Sequence, residues 1–270
     1  MTDLMLLLTG AEAVVAEAAA KLALTQGSAL RTERKDLLDI VTEADLAAEE
    51  IVVSGLKRLT PDAGILAEER GSTGEGSGER WIIDPLDGTV NYARGLPWFS
   101  VTVAYEVDGE VRLGLVNAPK AGLIGRYVRG QLALIDDKPA RVTETRTLAD
   151  AVVSVTLTSH FSAADVRRTI AIVERLAMVA RGVRVVVSGG LEMSLVASSR
   201  LDAFVSIKAD AVSHAAAMQL VRAGGGQVTT LQGHASSVDD LHKVASNGHI
   251  HEELLAQLRD ALRESTDPPL

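Results

Sequence analysis

The chain has 270 residues, 47% hydrophobic and 23% charged, enough apolar material for one large domain or two modest ones. It has no cysteine, which excludes a disulfide framework, a thiolate metal site and a cysteine nucleophile, and suits a reducing cytoplasm. A net charge of −9, with 3% aromatics and no Lys/Arg block, works against nucleic-acid polymers and anionic membranes; it also repels a phosphate ester unless cations reverse the local sign.

The apolar run Leu4 to Leu8 has no positive charge before it and is followed by Glu12 and Glu17. It therefore reads as the start of an amphipathic helix and not as a signal peptide. Leu4, Leu7, Leu8, Ala11, Val14, Val15, Ala18 and Leu22 recur at helical spacing. No apolar run approaches the ~20 residues that a membrane span needs. Residues 31–39 form a charged connector. Thr42-Glu43-Ala44-Asp45 then fits a capping box, opening a helix through Leu46, Ile51, Leu56 and Leu59 that Pro61 stops. Residues 64–67 read as a short strand ending in Glu68-Glu69, and 71–78 as a Gly/Ser-rich loop. Trp81-Ile82-Ile83 is a buried strand; Pro85 bars its regular continuation, so a sharp turn is expected there.

Strands at 99–107 and 110–116 flank Asp108-Gly109, a strong hairpin signal. Two further short strands are expected at 123–128 and 131–135. Past residue 145 the pattern alternates: strand 152–157, helix 163–180, strand 183–187, helix 191–199, strand 203–207, and a helix ending at Gly224-Gly225-Gly226. The chain thus divides into an α+β half, 1–145, carrying the acidic motifs, and an α/β half, 146–270, that completes the site.

The chemistry centres on Asp84 and Asp87. Two carboxylates three residues apart on a turn can converge on one point, Gly88 permits close backbone approach, and Thr89 supplies a hydroxyl. A helix starting here would turn free amides toward a phosphate. Taken alone, such a segment is more often an ordinary acidic turn. Glu68-Glu69, on a strand that could lie beside 81–83, adds carboxylates; with Asp84, Asp87 and the Leu86 carbonyl they form the oxygen donor set that Mg²⁺ prefers. Taken alone, Glu68-Glu69-Arg70 is a solvated strand end, and Asp45 already has a capping role.

The blocks Thr42-Glu43-Ala44-Asp45, Glu68-Glu69, Trp81-Ile82-Ile83-Asp84-Pro85-Leu86-Asp87-Gly88-Thr89-Val90-Asn91-Tyr92 and Ala223-Gly224-Gly225 resemble, in order, the signatures of inositol monophosphatase-like proteins. The likeness runs over nearly the whole chain, including Val244-Ala245-Ser246-Asn247 before the last helix. It implies a layered αβαβα sandwich of the sugar phosphatase type, a homodimer, and Mg²⁺-dependent hydrolysis (two or three ions) of a small soluble phosphate monoester such as a sugar, cyclitol, nucleotide or amino-alcohol phosphate. Carried over by position, Glu68, Asp84 and the Leu86 carbonyl hold one Mg²⁺, and Asp84 bridges to a second shared with Asp87. Glu68 and Thr89 position a metal-bound water, while Asp87, Gly88 and Thr89 meet the substrate. Asp45 lies close by.

Three departures accompany the likeness. The family's Trp-Asp at the start of the helix leading to Ala-Gly-Gly, counted back without a gap, falls on Ala211-Val212, so the expected ligand carboxylate is missing. Asp210 is the nearest replacement, and His214, four residues on, shares its face; the pair would bind metal or phosphate, or else be a cap and a surface histidine. The acidic residue that reads substrate hydroxyls aligns near Ser206, with Lys208 beside it as an added positive charge at the mouth. The usual Gly-Ser-Ala-Ala turn is Val187-Ser188-Gly189-Gly190. The alternative to an active phosphatase is a degenerate member with a compromised second metal site, acting as a binding or regulatory protein.

Overall fold

The computed structural model describes residues 3–27, 32–34, 40–74, 78–158 and 160–264. The side chain of Thr42, and with it the expected capping box, lies outside the described residues. So do residues 31 and 35–39 of the connector and 75–77 of the Gly/Ser-rich loop.

The opening periodicity becomes α1 (Leu4–Thr25), whose first free amides are met by Asp3: its Oδ1 accepts from Met5 N at 2.9 Å. An antiparallel pair, β1 (Thr32–Arg34) and β2 (Ile40–Thr42), leads to α2 (Glu43–Leu59), which ends two residues before Pro61. Next come β3 (Gly64–Ala67), β4 (Gly71–Thr73) and β5 (Glu79–Asp87), then the short α3 (Thr89–Ala93). The strands β6 (Ser100–Val107), β7 (Glu110–Ala118), β8 (Leu123–Val128), β9 (Leu134–Ile135) and β10 (Lys138–Pro139) complete an eight-stranded sheet in the order β10-β9-β8-β7-β6-β5-β3-β4. Within this sheet, among the described residues, the β3–β5 pair is the parallel one. Asp108 and Gly109, both at positive φ, make the expected hairpin turn between β6 and β7.

The rest of the chain supplies β11 (Val152–Val155), α4 (Ala163–Val179), β12 (Gly182–Arg184), α5 (Gly189–Ala197), β13 (Ala203–Ser206), α6 (Ala211–Ala223), β14 (Gln227–Thr229), β15 (Lys243–Ser246) and α7 (His251–Glu264). Its five strands form a second sheet, β12-β11-β13-β15-β14, in which β12, β11 and β13 run parallel.

Burial resolves these elements into five layers. Along β5, Trp81 and Ile83 face α1 and α2, packing with Val15, Leu22, Val52 and Leu56. Ile82 faces the other way with Ala104 and Val116, against α5 and α6. Phe204 and Ala245 of the second sheet close that middle core from the opposite side. Val153, Val205 and Val244 turn to the outer core beneath α4 and α7. The stacking is helix, sheet, helix, sheet, helix, the αβαβα order that the resemblance implies. No helix of the described residues is long and apolar enough to cross a membrane.

The structure revises several local expectations: residues 71–73, expected as loop, pair with β3 as β4, and the strand expected at 183–187 ends at Arg184. The chain does not turn sharply at Pro85; β5 continues to Asp87 through a bulge. Asp84 pairs with Thr102 and Asp87 with Ser100, so three steps on β5 span two on β6. Proline has no N–H for the ladder, and the extra residue absorbs the missing bond while re-aiming the flanking side chains.

Candidate metal and phosphate site

The bulge places Asp84 and Asp87 on the α5/α6 side of the sheet, at 2% and 6% exposure. Asp84 Oδ1 accepts from Leu86 N at 3.1 Å, closing the bulge on itself, and Oδ2 accepts from the Ser213 hydroxyl of α6 at 2.7 Å. Asp87 is held at the start of α5. Its Oδ2 accepts from Ser100 Oγ (2.8 Å), Ser188 Oγ (2.7 Å) and Gly190 N (2.9 Å), and its Oδ1 from Gly189 N (3.0 Å). Gly88 then turns the chain at φ 95°; a Cβ there would stand 2.7 Å from Trp98 O, so only glycine fits. Thr89 opens α3 with its hydroxyl 2.8 Å from Asp45 Oδ1 on α2 and 3.1 Å from Leu86 O.

Glu68 follows the end of β3, the strand that runs beside β5, and its side chain is exposed. The turn that carries it is fixed by Glu49, a buried acid on α2. Glu49 accepts from Glu69 N at 3.0 Å and pairs with Arg70 Nε at 3.0 Å. Asp45 and Glu49, one helical turn apart on the buried face of α2, thus brace the two outer parts of the site.

Electrostatics follow from this crowding. Burial pushes the Asp84 carboxyl well above the usual range, and the charges of Glu68, Asp87 and Asp210 add to the rise against the Ser213 hydrogen bond. Burial likewise raises Asp87, opposed by the hydroxyls of Ser188 and Ser100. Glu192, wholly buried one turn into α5, is pushed up to about 7 by burial. Its Oε2 accepts from Ser188 N at 2.9 Å, and its Oε1 accepts from the Ser154 hydroxyl of β11.

Asp210 sits at the N-cap of α6, accepting from Ser213 N at 2.7 Å. Its side chain is 55% exposed; desolvation by the surrounding protein works against ionisation, yet the His214 ring and the Ser213 amide outweigh this and hold the carboxyl below its ordinary value. His214 is not a surface residue. It is 3% exposed, with Nδ1 2.9 Å from Asp210 O and its ring against Phe204. The ring occupies space that Gly189 leaves open, since a Cβ there would lie 2.4 Å from His214 Nε2. Val212 does not face the carboxylates either: its side chain packs into the middle core and its carbonyl accepts from Thr102 Oγ1 at 2.8 Å. The residue of α6 that faces Asp84 is Ser213, one position later than the gapless count. Ser206 is fully buried, and Lys208 is drawn toward α4, donating to His160 O at 3.1 Å and lying 3.9 Å from Asp165.

Asp84, Leu86, Asp87, Gly88 and Thr89 thus come together on one bulge. Glu68 and Asp210 lie within electrostatic reach of Asp84, and Asp45 is joined to Thr89. Sequence reasoning marked Ser188 only as part of the altered 187–190 turn, and passed over Ser100, Glu192, Ser213 and Glu49. Of those four, Glu49 left a signal, as an acid at the i+4 position from Asp45 on the buried face of α2.

The donor chemistry fits a hard divalent cation. The donors are all oxygens, and buried like-charged carboxylates repel unless a cation or proton neutralises them. Among the described residues, however, no three Asp, Glu or His side chains already surround one point as metal ligands. Asp84 and Asp87 keep their oxygens on protein donors instead. The donor set is right in kind and loose in arrangement.

Comparison with known proteins agrees with this fold and its motifs. The model of the inositol monophosphatase family matches residues 3–263. The chain is 33% identical to a Thermotoga maritima protein named fructose-1,6-bisphosphatase/inositol-1-monophosphatase, over 84% of this chain and 85% of that one. It is 34% identical to the Nus factor SuhB of Pasteurella multocida, over 87% and 88% respectively. The crystal structure of the suppressor protein SuhB from Bartonella henselae superposes with a TM-score of 0.88 at 28% identity, covering 96% of this chain and 99% of that one.

Proposed function

The chain belongs to the inositol monophosphatase family, and from that premise we propose that it is a Mg²⁺-dependent phosphomonoesterase acting on a small soluble phosphate ester. Membership supports phosphomonoester hydrolysis in general. The observation that carries the finer reading is the burial of Asp84 and Asp87 on the β5 bulge, with the charges of Glu68 and Asp210 bearing on Asp84.

Glu68, Asp84, the Leu86 carbonyl and Asp87 would hold the metal, with Asp210 as the replacement for the missing family aspartate. Once bound, Mg²⁺ would supply an acidified water, a clamp on the phosphoryl oxygens and charge compensation at the leaving oxygen. The protein's own part is positional. Thr89 Oγ has one hydrogen, closest to Asp45 Oδ1 with Leu86 O beyond it; as an attacking water gives its proton to the Thr89 oxygen, the Thr89 proton would pass to the Asp45 carboxylate. Glu68, across the site on the 68–70 turn, orients that water from its other side. Asp87, Gly88 and Thr89 line the approach of the phosphate, on a backbone that no side chain at position 88 obstructs.

The test is phosphate release from a panel of phosphomonoesters, with and without Mg²⁺, for the wild type and Asp84→Asn. Turnover that needs Mg²⁺ and nearly vanishes in the variant is expected; undiminished activity in Asp84→Asn would sink the site. A second reading, a member that binds phosphate ligands or partners without turnover, is favoured by one observation. A neutral serine faces Asp84 from α6, where a ligand carboxylate would complete a second metal position.

A further inference from the structure

The start of α5 carries more carboxylate than a helix N-terminus ordinarily needs. Its N-terminal amides are divided between two acids. Asp87 takes Gly189 N and Gly190 N, and Glu192, reaching back from within the helix, takes Ser188 N at 2.9 Å. Ser188 is the hinge between them, because its hydroxyl donates to Asp87 Oδ2 at 2.7 Å while its own amide is held by Glu192. Ser188, Glu192 and Ser154 are all wholly buried, so each bond in this chain replaces a bond to water that is not available.

The peptide entering this turn is strained. Val187 has φ 64°, a left-handed conformation that costs a β-branched residue of the order of 1–3 kcal/mol and persists only when its surroundings impose it. Two clamps impose it. The Asn91 amide donates to Val186 O at 2.8 Å and Val187 O at 3.2 Å, and Glu192 holds the Ser188 amide that follows. Without the second clamp, the buried Ser188 N–H would have no acceptor and the strained peptide would be free to turn, carrying the Ser188 hydroxyl off Asp87.

The consequence for Asp87 is geometric. A carboxylate has about four lone-pair sites. Oδ2 carries three hydrogen bonds and Oδ1 one, which leaves Oδ1 as the oxygen open to a cation. We propose that Glu192 is a positioning residue that, through Ser188, fixes the orientation of Asp87 so that one carboxylate oxygen stays open to a divalent cation; the proposal rests on the metal-dependent reading of the site. Outer-shell partners of metal ligands act in this way, by orienting the ligand without touching the ion.

Mn²⁺ binding to the full-length protein, read from the free-ion signal by electron paramagnetic resonance, tests this apart from turnover. Glu192→Leu removes both bonds and should weaken Mn²⁺ by about 10–100-fold, the usual effect of losing such a partner. Glu192→Gln should stay within about threefold of wild type, because its amide oxygen still accepts from Ser188 N and its NH₂ can donate to Ser154. Ser188→Ala, which keeps the backbone amide, should weaken Mn²⁺ in the same direction. Circular dichroism reports whether each variant is folded. The proposal is overturned by a folded Glu192→Leu with wild-type affinity, or by Glu192→Gln as impaired as the leucine variant. If Glu192→Leu does not fold, unchanged Mn²⁺ affinity in Ser188→Ala overturns it. A wild type that binds no Mn²⁺ refutes the metal-dependent reading itself, a result distinguishable from the others.

Discussion

Ser213→Asp puts a carboxylate where α6 now offers Asp84 a hydroxyl at 2.7 Å. Two changes follow in the metal-free protein. A hydrogen bond to a charged group, contributing roughly 1.5–3 kcal/mol, is lost. In its place two ionised carboxylates stand about 4 Å apart, repelling by about 4 kcal/mol at an effective dielectric constant of 20. Proton uptake by the pair relieves part of that, so a loss of about 3–5 kcal/mol is expected in EDTA at pH 8. Divalent metal should reverse the sign, because the added oxygen ligand binds only in the native state. Metal at 100 times its Kd stabilises by about 2.7 kcal/mol, and a tighter site gains more at the same concentration. Thermal unfolding in EDTA and in Mg²⁺ or Mn²⁺ measures both effects. The expected result is a lower Tm than wild type in EDTA and a larger metal-induced rise. If the variant is as stable as wild type in EDTA, or its rise on metal is no greater, then position 213 does not face a cation site and the reasoning fails.

Thr89→Ala should fold normally yet slow hydrolysis by about 10²-fold or more, since the hydroxyl between Asp45 and Leu86 O is lost; full activity would leave Thr89 only a structural role. Asp210→Asn keeps an N-capping oxygen for Ser213 N, so stability should change by less than about 1 kcal/mol while the Mg²⁺ concentration needed for activity rises; an unchanged Mg²⁺ titration would remove Asp210 from the ligands. Glu192 sets a pH dependence of stability. Its folded value of about 7 lies above the ordinary 4.5, because burial outweighs the lowering hydrogen bonds from Ser154 and Ser188, so the native state binds the extra proton. Stability from this group is therefore complete below pH 4.5 and lost as pH rises through 7, by about 3 kcal/mol. Urea unfolding at pH 5 and pH 8 should show that loss in wild type and not in Glu192→Gln; parallel curves would exclude it.

Much of this was legible before any coordinates, for identifiable reasons. Trp81-Ile82-Ile83 announced a strand buried on both faces, and Asp108-Gly109 fixed a hairpin, because both signals are local. The bulge at Pro85 was not legible. Whether a proline turns a chain or merely interrupts its ladder depends on the strand beside it, here Ser100 and Thr102 of β6. Val212 was assigned the ligand position by counting, yet the face of α6 is set by Thr102 gripping the Val212 carbonyl and by core packing. His214 stayed open in the sequence between a ligand pair with Asp210 and a surface residue, because the space that buries it is the missing Cβ of Gly189, 25 positions away. The serines that hold Asp87 come from 13 and 101 residues off and carry neither charge nor periodicity to mark them. Strands β4, β10 and β14 are two or three residues long and owe their existence to a neighbouring edge more than to their own pattern.

The middle helical layer has a mechanical consequence. α5 and α6 lie between two sheets, and their core takes Ile82 and Ala104 from one side and Phe204 and Ala245 from the other. Neither sheet can retreat from this layer without uncovering it, so a jaw-like swing of one sheet from the other would expose the core that Ile82, Ala104, Phe204 and Ala245 share. Among the described residues, two short segments outside the helices and strands come together at the rim of this frame: the 94–99 loop after α3, with Trp98 at 42% exposure, and the 185–187 stretch before α5. Asn91 bridges the two by donating to Trp98 O and Val186 O, so a shift of either segment pulls on the other.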